Sequence, residues 1–228
     1  MELSLLKKAF KRNYVLRQDK NDKLFQVYYP LATRLIVSRY TDNKFIITSS
    51  RKGEGKSHVT INLGFHLALR KKKVLIVDVN PWNPALTEYF RLQREIGFLD
   101  LLRDGSPLEG MQCFPDIETF HVVGIGHRDQ DIIDLLLQDS RDLVSFTQNY
   151  DFVLFDAPSM NQHYEAHLLT KMVNQVLLVV RLGMTSFSAV KATEETIRSN
   201  SGTIAGVVIN KYRNPVPKFL ASNIFHNL

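Results

Sequence analysis

Thr48-Ser49-Ser50-Arg51-Lys52-Gly53-Glu54-Gly55-Lys56-Ser57 decides the fold, because it stands between an apolar strand-like run and a helical pattern. Lys44 to Thr48, with Phe45, Ile46 and Ile47, reads as a short buried strand. Val59, Leu63, Leu67 and Leu69 supply the apolar stripe of an amphipathic helix beginning near Lys56. A strand, a glycine-containing loop and a helix in that order form a phosphate cradle. Gly53 and Gly55 let backbone N–H groups turn onto phosphate oxygens, and the helix N-terminus adds its positive dipole end. Lys56 reaches the terminal phosphates in such a loop, and Ser57 offers a hydroxyl to Mg²⁺. The strict pattern begins with Gly, and here that position is Ser50, so the rest of the chain must support the reading.

Two further stretches do. Val74-Leu75-Ile76-Val77-Asp78 and Phe152-Val153-Leu154-Phe155-Asp156 are continuous apolar runs that end in an acid, as in central parallel strands whose C-terminal ends carry a site. Pro81 and Pro84 stop any strand continuing beyond Asp78. Val176 to Val180 and Ile204 to Ile209 read as two more buried strands, with helical patterns near 129–148, 163–173 and 187–199. This alternation predicts an α/β fold, a doubly wound and mainly parallel sheet with helices on both faces. Asp78 and Asp156 then face the phosphate loop from the same sheet edge, where a carboxylate holds Mg²⁺ directly or through water.

With 228 residues and 44% hydrophobic content, the chain suits one core: an extension over 1–43, a nucleotide-binding domain over 44–212 and a tail over 213–228. The single cysteine, Cys113, allows no internal disulfide. No apolar run reaches the ~18 residues of a membrane span, and the N-terminus lacks a signal-peptide core, so a cytoplasmic location is expected. The net charge of +6 sits at the ends: residues 1–23 hold seven Lys/Arg against three acids, and 211–228 hold three against none. Leu3, Leu6, Phe10 and Tyr14 share one helical face, ringed by Lys7, Lys8, Lys11 and Arg12. Such a helix lies on an anionic membrane or docks on a membrane protein, or else packs on its own domain. The charge-balanced middle has no basic stripe, so nucleic acid is not an expected partner.

Over residues 44 to 211 the chain resembles the cytoplasmic kinase domain of the bacterial tyrosine kinases of capsule and exopolysaccharide systems, a branch of the P-loop ATPases that includes the Min and Par proteins. The loop Ser49 to Ser57, then Asn62-Leu63, is similar to that family's Ser-Ser-x-Pro-Gly-Glu-Gly-Lys-Ser form. Val74 to Phe90 matches its second acidic motif, Gly97-Phe98-Leu99-Asp100-Leu101-Leu102 and Gly105 a further family stretch, and Tyr150 to Pro158 its third motif. Leu177 to Arg181 and Gly206 to Asn210 fit its last strands.

The resemblance implies ATP and Mg²⁺ as ligands and Lys56, Asp78 and Asp156 as catalytic residues, with Ser57, Asp78 and Asp156 at the metal. It also implies Gly53, Glu54, Gly55, Lys56, Ser57 and His58 around the phosphates, and Asn210 near adenine. The implied partner is a membrane polysaccharide co-polymerase or related inner-membrane protein, with a possible homodimer or oligomer and a peripheral place at the inner face of the membrane. Departures are equally specific. Asp78-Val79-Asn80-Pro81-Trp82-Asn83-Pro84 has lost one acid and both basic positions of the family motif, and Asn80 cannot take a proton. His58 replaces a small hydroxyl residue, Lys52 replaces Pro, and Arg51 stands where Min and Par proteins carry a lysine that reaches across a dimer. The tail after Tyr212 has no tyrosine, and Tyr28-Tyr29-Pro30 occupies the place of a ring-assembly segment. Two alternatives therefore stand beside the kinase: an ATPase switch of the Min or Par kind, and a nucleotide-binding scaffold without turnover.

Overall fold

The computed structural model describes residues 23–38, 40, 42–93, 95–105, 112–114, 117–128, 132–137 and 146–211. The basic amphipathic helix read over residues 3–14, and the tail from Tyr212 onward, lie outside these. Seven strands form one sheet: β1 (Lys44–Ser49), β2 (Val74–Asp78), β3 (Gln112–Phe114), β4 (Ile117–Val123), β5 (Phe152–Asp156), β6 (Gln175–Arg181) and β7 (Thr203–Asn210). Their order is β3-β4-β2-β5-β1-β6-β7. All pairs are parallel except β3 with β4, an antiparallel pair at one edge.

Alternation along the strands divides the core in two. Phe45, Ile47, Val74, Ile76, Leu154 and Val179 point to one face, while Ile46, Leu75, Val77, Val153, Phe155 and Val176 point to the other. The first face is covered by α1 (Lys23–Val37), α2 (Lys56–Leu69) and α3 (Ala85–Phe90). The second is covered by α4 (Phe98–Asp104), α5 (Ile132–Leu137), α6 (Glu165–Met172) and α7 (Phe187–Ser199). The doubly wound, mainly parallel sheet expected from the strand runs is therefore present.

Three expectations change. Helix α2 is not a half-exposed amphipathic helix: every residue from Val59 to Ala68 is buried, whereas Leu69 is only partly so. The reason is α1, whose Tyr28, Ala32 and Leu35 are buried against it. Gly64 lets α2 approach the sheet, since a Cβ there would lie 2.8 Å from Ile76 Cγ2. Secondly, β7 is an edge strand rather than a buried one, with Val207 54% and Ile209 59% exposed. Only its pairing with β6 protects it, and the apolar run Val207-Val208-Ile209 carries no mark of that position. Thirdly, the helix read near 129–148 is described only at Ile132–Leu137 and at residues 146–147, and the segment between lies outside the described residues.

Candidate functional site

Strand β1 lies between β5 and β6, so the loop that leaves it opens into the crevice at the strands' C-terminal ends. Residues 50–55 make that loop, and Gly55 serves as the N-cap of α2 with φ 97°, a backbone conformation that glycine tolerates best. A side chain is excluded there for a second reason: a Cβ on Gly55 would stand 2.0 Å from Asn210 Nδ2. The N-terminus of α2 has no side-chain cap, which leaves its first-turn amides for an anion.

Glu54 shapes the loop from within. It is fully buried; Oε2 accepts from the Arg51 amide at 3.1 Å, and Oε1 accepts from the Thr185 hydroxyl. Asn210 Nδ2 donates to the Glu54 carbonyl at 2.8 Å, and Arg181 Nη1 reaches the Gly53 carbonyl at 3.4 Å. Ser50, the departure from Gly, is buried too. Its hydroxyl donates to the Ala189 carbonyl at 3.3 Å and accepts from Thr193 at 2.7 Å, tying the loop to α7.

The loop borders a cleft of about 400 Å³. Gly53, Gly55, Lys56, Ser57 and His58, all expected at the site, line it, together with Lys52. The opposite wall is Asn80, Trp82, Asn83 and Ala85 from the loop after β2, with Ser159 and His163 from the segment after β5. Ser159 and His163 were missed in the sequence, where the only signal was their position just beyond an acid-ended strand. The Glu54 and Asn210 side chains are engaged in holding the loop and, like the fully buried Asp78 and Asp156, are not among the residues that line this cleft.

Lys56 is nearly buried, and its Nζ lies 3.2 Å from Ser49 Oγ. Burial lowers its pKa, while the charges of Asp156 and Glu54 act to raise it. Asp78 and Asp156 are directly paired across β2 and β5, and both are fully buried. Burial raises Asp78 to about 7, with the Asp156 charge adding to the effect and the Thr87 and Asn80 hydrogen bonds opposing it. Burial likewise raises Asp156 to about 6, against the Ser57 hydroxyl, the Lys56 charge and Thr60. Asp78 Oδ1 accepts from the Asn80 amide at 3.2 Å, and Oδ2 accepts from the Thr87 amide at 2.9 Å and the Thr87 hydroxyl at 2.8 Å. Asp156 Oδ1 accepts from Thr60 at 3.4 Å, but Oδ2 is buried without a hydrogen-bond partner.

That open oxygen fits a hard cation. Asp156 and the Ser57 hydroxyl offer the oxygen ligands that Mg²⁺ takes, and phosphates commonly complete its shell. Among the described residues, no group of three or more His, Cys, Asp or Glu side chains is arranged to hold a metal by itself. His58 stands at the cleft wall with Tyr28 edge-on at 6.0 Å, and burial, with the Lys211 charge, lowers its pKa. Tyr28 is 5% exposed and also stacks on His66 at 5.8 Å, so it is a packing residue of α1.

The same architecture runs through a known family, whose model, the CobQ/CobB/MinD/ParA nucleotide binding domain, matches residues 45–224. The chain belongs to this family. It is a nucleotide-binding domain, and its curated relatives include proteins named as tyrosine-protein kinases. One is CpsD of Streptococcus pneumoniae serotype 4, 24% identical over 200 residues that cover 86% of this chain and 88% of CpsD. Another is the putative tyrosine-protein kinase EpsB of Ralstonia solanacearum, 28% identical over 171 residues, or 74% of this chain. The match spans only 23% of EpsB's length. In fold, the chain is similar to the kinase domain of the Escherichia coli tyrosine kinase ETK, with a TM-score of 0.80 and 23% identity over 90% of this chain and 83% of that one. Among the described residues no helix is long and apolar enough to cross a membrane.

Proposed function

We propose that this domain binds ATP with Mg²⁺ and transfers the terminal phosphoryl group to tyrosine, in a capsule or exopolysaccharide system where it works beside a membrane co-polymerase at the inner face of the membrane. The observation that carries the reading is the buried Asp156 oxygen left without a hydrogen-bond partner beside the Ser57 hydroxyl, two oxygen donors of the kind a nucleotide-bound cation takes, with the Lys56 charge next to them for the phosphates. The relatives named as tyrosine-protein kinases support the acceptor.

Each residue has a role that its environment suits. Lys56 and the first amides of α2 bind the phosphates, and their fixed positions stabilise charge as it shifts in the transition state. Ser57 and Asp156 hold Mg²⁺, which neutralises phosphate charge when bound. Asp78 keeps an Oδ1 lone pair after its three hydrogen bonds, and its raised pKa suits a proton acceptor near neutral pH. In the transfer, the tyrosine oxygen bonds to the γ-phosphorus, the bond to the bridging oxygen breaks, ADP leaves and the phenol proton goes to Asp78. Asn80, whose Oδ1 accepts from the Asn83 amide at 3.3 Å, holds its loop and takes no proton.

The test is incubation of the protein with Mg²⁺ and γ-labelled ATP, with and without the cytosolic part of its membrane partner. Label on tyrosine, lost in Lys56→Ala, is the expected result. Free phosphate alone would favour the ATPase switch, and bound ATP without turnover would leave a scaffold.

A further inference from the structure

Trp82, the only tryptophan in the chain, is 62% exposed at the mouth of the cleft. One face of its indole is already held: the His163 ring stacks on it at 5.4 Å with 19° between the planes. Both rings sit on anchored loops. Asn83 N donates to Asn80 Oδ1, Arg128 Nη1 donates to the Pro81 carbonyl at 2.7 Å, and Pro81 and Pro84 restrict the backbone on either side of the tryptophan. His163 lies two residues before α6, and its carbonyl accepts from the Ala166 amide at 3.2 Å. The cleft thus presents a preorganised aromatic pair, one ring from the exit of β2 and one from the exit of β5.

Its position fixes which end of a nucleotide it meets. Asp78 and Asp156 end the adjacent strands β2 and β5, and Asp156 with Ser57 would hold the cation that neutralises the outer phosphates. Asn210 ends β7, four strands beyond β2, on the far side of the phosphate loop. The aromatic pair therefore stands at the phosphate-terminal side, where an acceptor group enters, and away from the β7 side.

We propose that Trp82 and His163 form a platform that stacks the phenol ring of the acceptor tyrosine and directs its hydroxyl into the cleft, an inference that rests on the kinase reading above. A phenol offers a flat face for offset stacking with ring centroids ~4.5–7 Å apart, together with a single hydroxyl at its far end. Serine and threonine have the hydroxyl and no face, so the platform selects tyrosine.

The lone indole makes the platform its own reporter. With Mg²⁺ and a non-hydrolysable ATP analogue bound, indole fluorescence is titrated with N-acetyltyrosinamide and, separately, N-acetylserinamide. Saturable quenching by the tyrosine amide alone is expected, with weaker binding in His163→Ala. In transfer assays on a tyrosine peptide, Trp82→Ala should raise KM about three- to tenfold with a smaller change in kcat, and Trp82→Phe should restore most of the loss. Quenching absent with the tyrosine amide, or equal with adenosine alone, overturns the platform. So does a Trp82→Ala protein that transfers to tyrosine with unchanged KM, which leaves the kinase reading standing. Saturable tyrosine-amide binding in a protein that never transfers phosphate does the reverse: the platform stands and the kinase reading falls.

Discussion

Asp78 and Asp156 are register partners at the ends of adjacent strands, equally buried, yet the protein treats them differently. Asp78 accepts three hydrogen bonds from Asn80 and Thr87, and so braces the loop after β2 against the start of α3. Asp156 accepts a long bond from Thr60, feels the nearby Ser57 hydroxyl, and keeps Oδ2 without a hydrogen-bond partner. A buried carboxylate that the fold satisfies is part of the scaffold as well as the chemistry. One that the fold leaves open is strained until something outside the protein completes it.

Removing each acid should separate the two roles. Asp78→Ala strands the Thr87 amide and hydroxyl and the Asn80 amide, and should cost about 3 kcal/mol of stability in urea unfolding at pH 5. Asp156→Ala should cost much less without Mg²⁺, and equal losses would break the contrast. Asp156→Asn should instead weaken Mg²⁺-dependent nucleotide binding about 100-fold in calorimetric titration, with little change in nucleotide binding when Mg²⁺ is absent.

The pH response follows from the sign of the shifts. Both folded pKa values, about 7 and about 6, lie above the unfolded value of 3.8, so the folded state binds more protons between these limits. The stability these groups contribute is full below about pH 4 and lost as pH rises towards 7. Without Mg²⁺, Tm should therefore fall across that window relative to Asp78→Asn/Asp156→Asn, and Mg²⁺ with nucleotide should flatten the upper part of the slope. A wild-type profile parallel to that of the double variant would refute the shared burial effect. The smallest change is Thr87→Val, which removes a hydroxyl that donates to Asp78 and accepts from the Ile125 amide at 2.8 Å. About 1–2 kcal/mol of stability should go, with Mg²⁺ binding at Asp156 retained.

What the sequence made legible was whatever depends on local pattern. The apolar runs ending in Asp78 and Asp156 and the Gly-Glu-Gly-Lys-Ser loop announced the sheet edge and the cleft, because strand, turn and helix start each leave a mark within ten residues. The edge position of β7 did not, since Val207-Val208-Ile209 is as apolar as any central strand and only its neighbours define an edge. The cover that α1 lays over α2 left no such mark, since Pro30 argues locally against a helix over 23–37 although it sits on the exposed side. Ser50 looked like a flaw in the loop, and its partner Thr193 lies 143 residues away, beyond the reach of any spacing rule. The unequal surroundings of the two acids likewise required Thr60 and Thr87 to be brought to them by the fold.

The ties on Glu54 have a consequence in time. Thr185, Asn210 and the Arg51 amide hold the phosphate loop in its turned-in form by bonds internal to the protein, so the loop is a finished mould and not one cast around its cargo. Nucleotide capture should then be a single fast exponential in stopped flow, its rate proportional to concentration. Glu54→Ala should add a slow, concentration-independent phase, as the freed loop hunts for the shape it once kept.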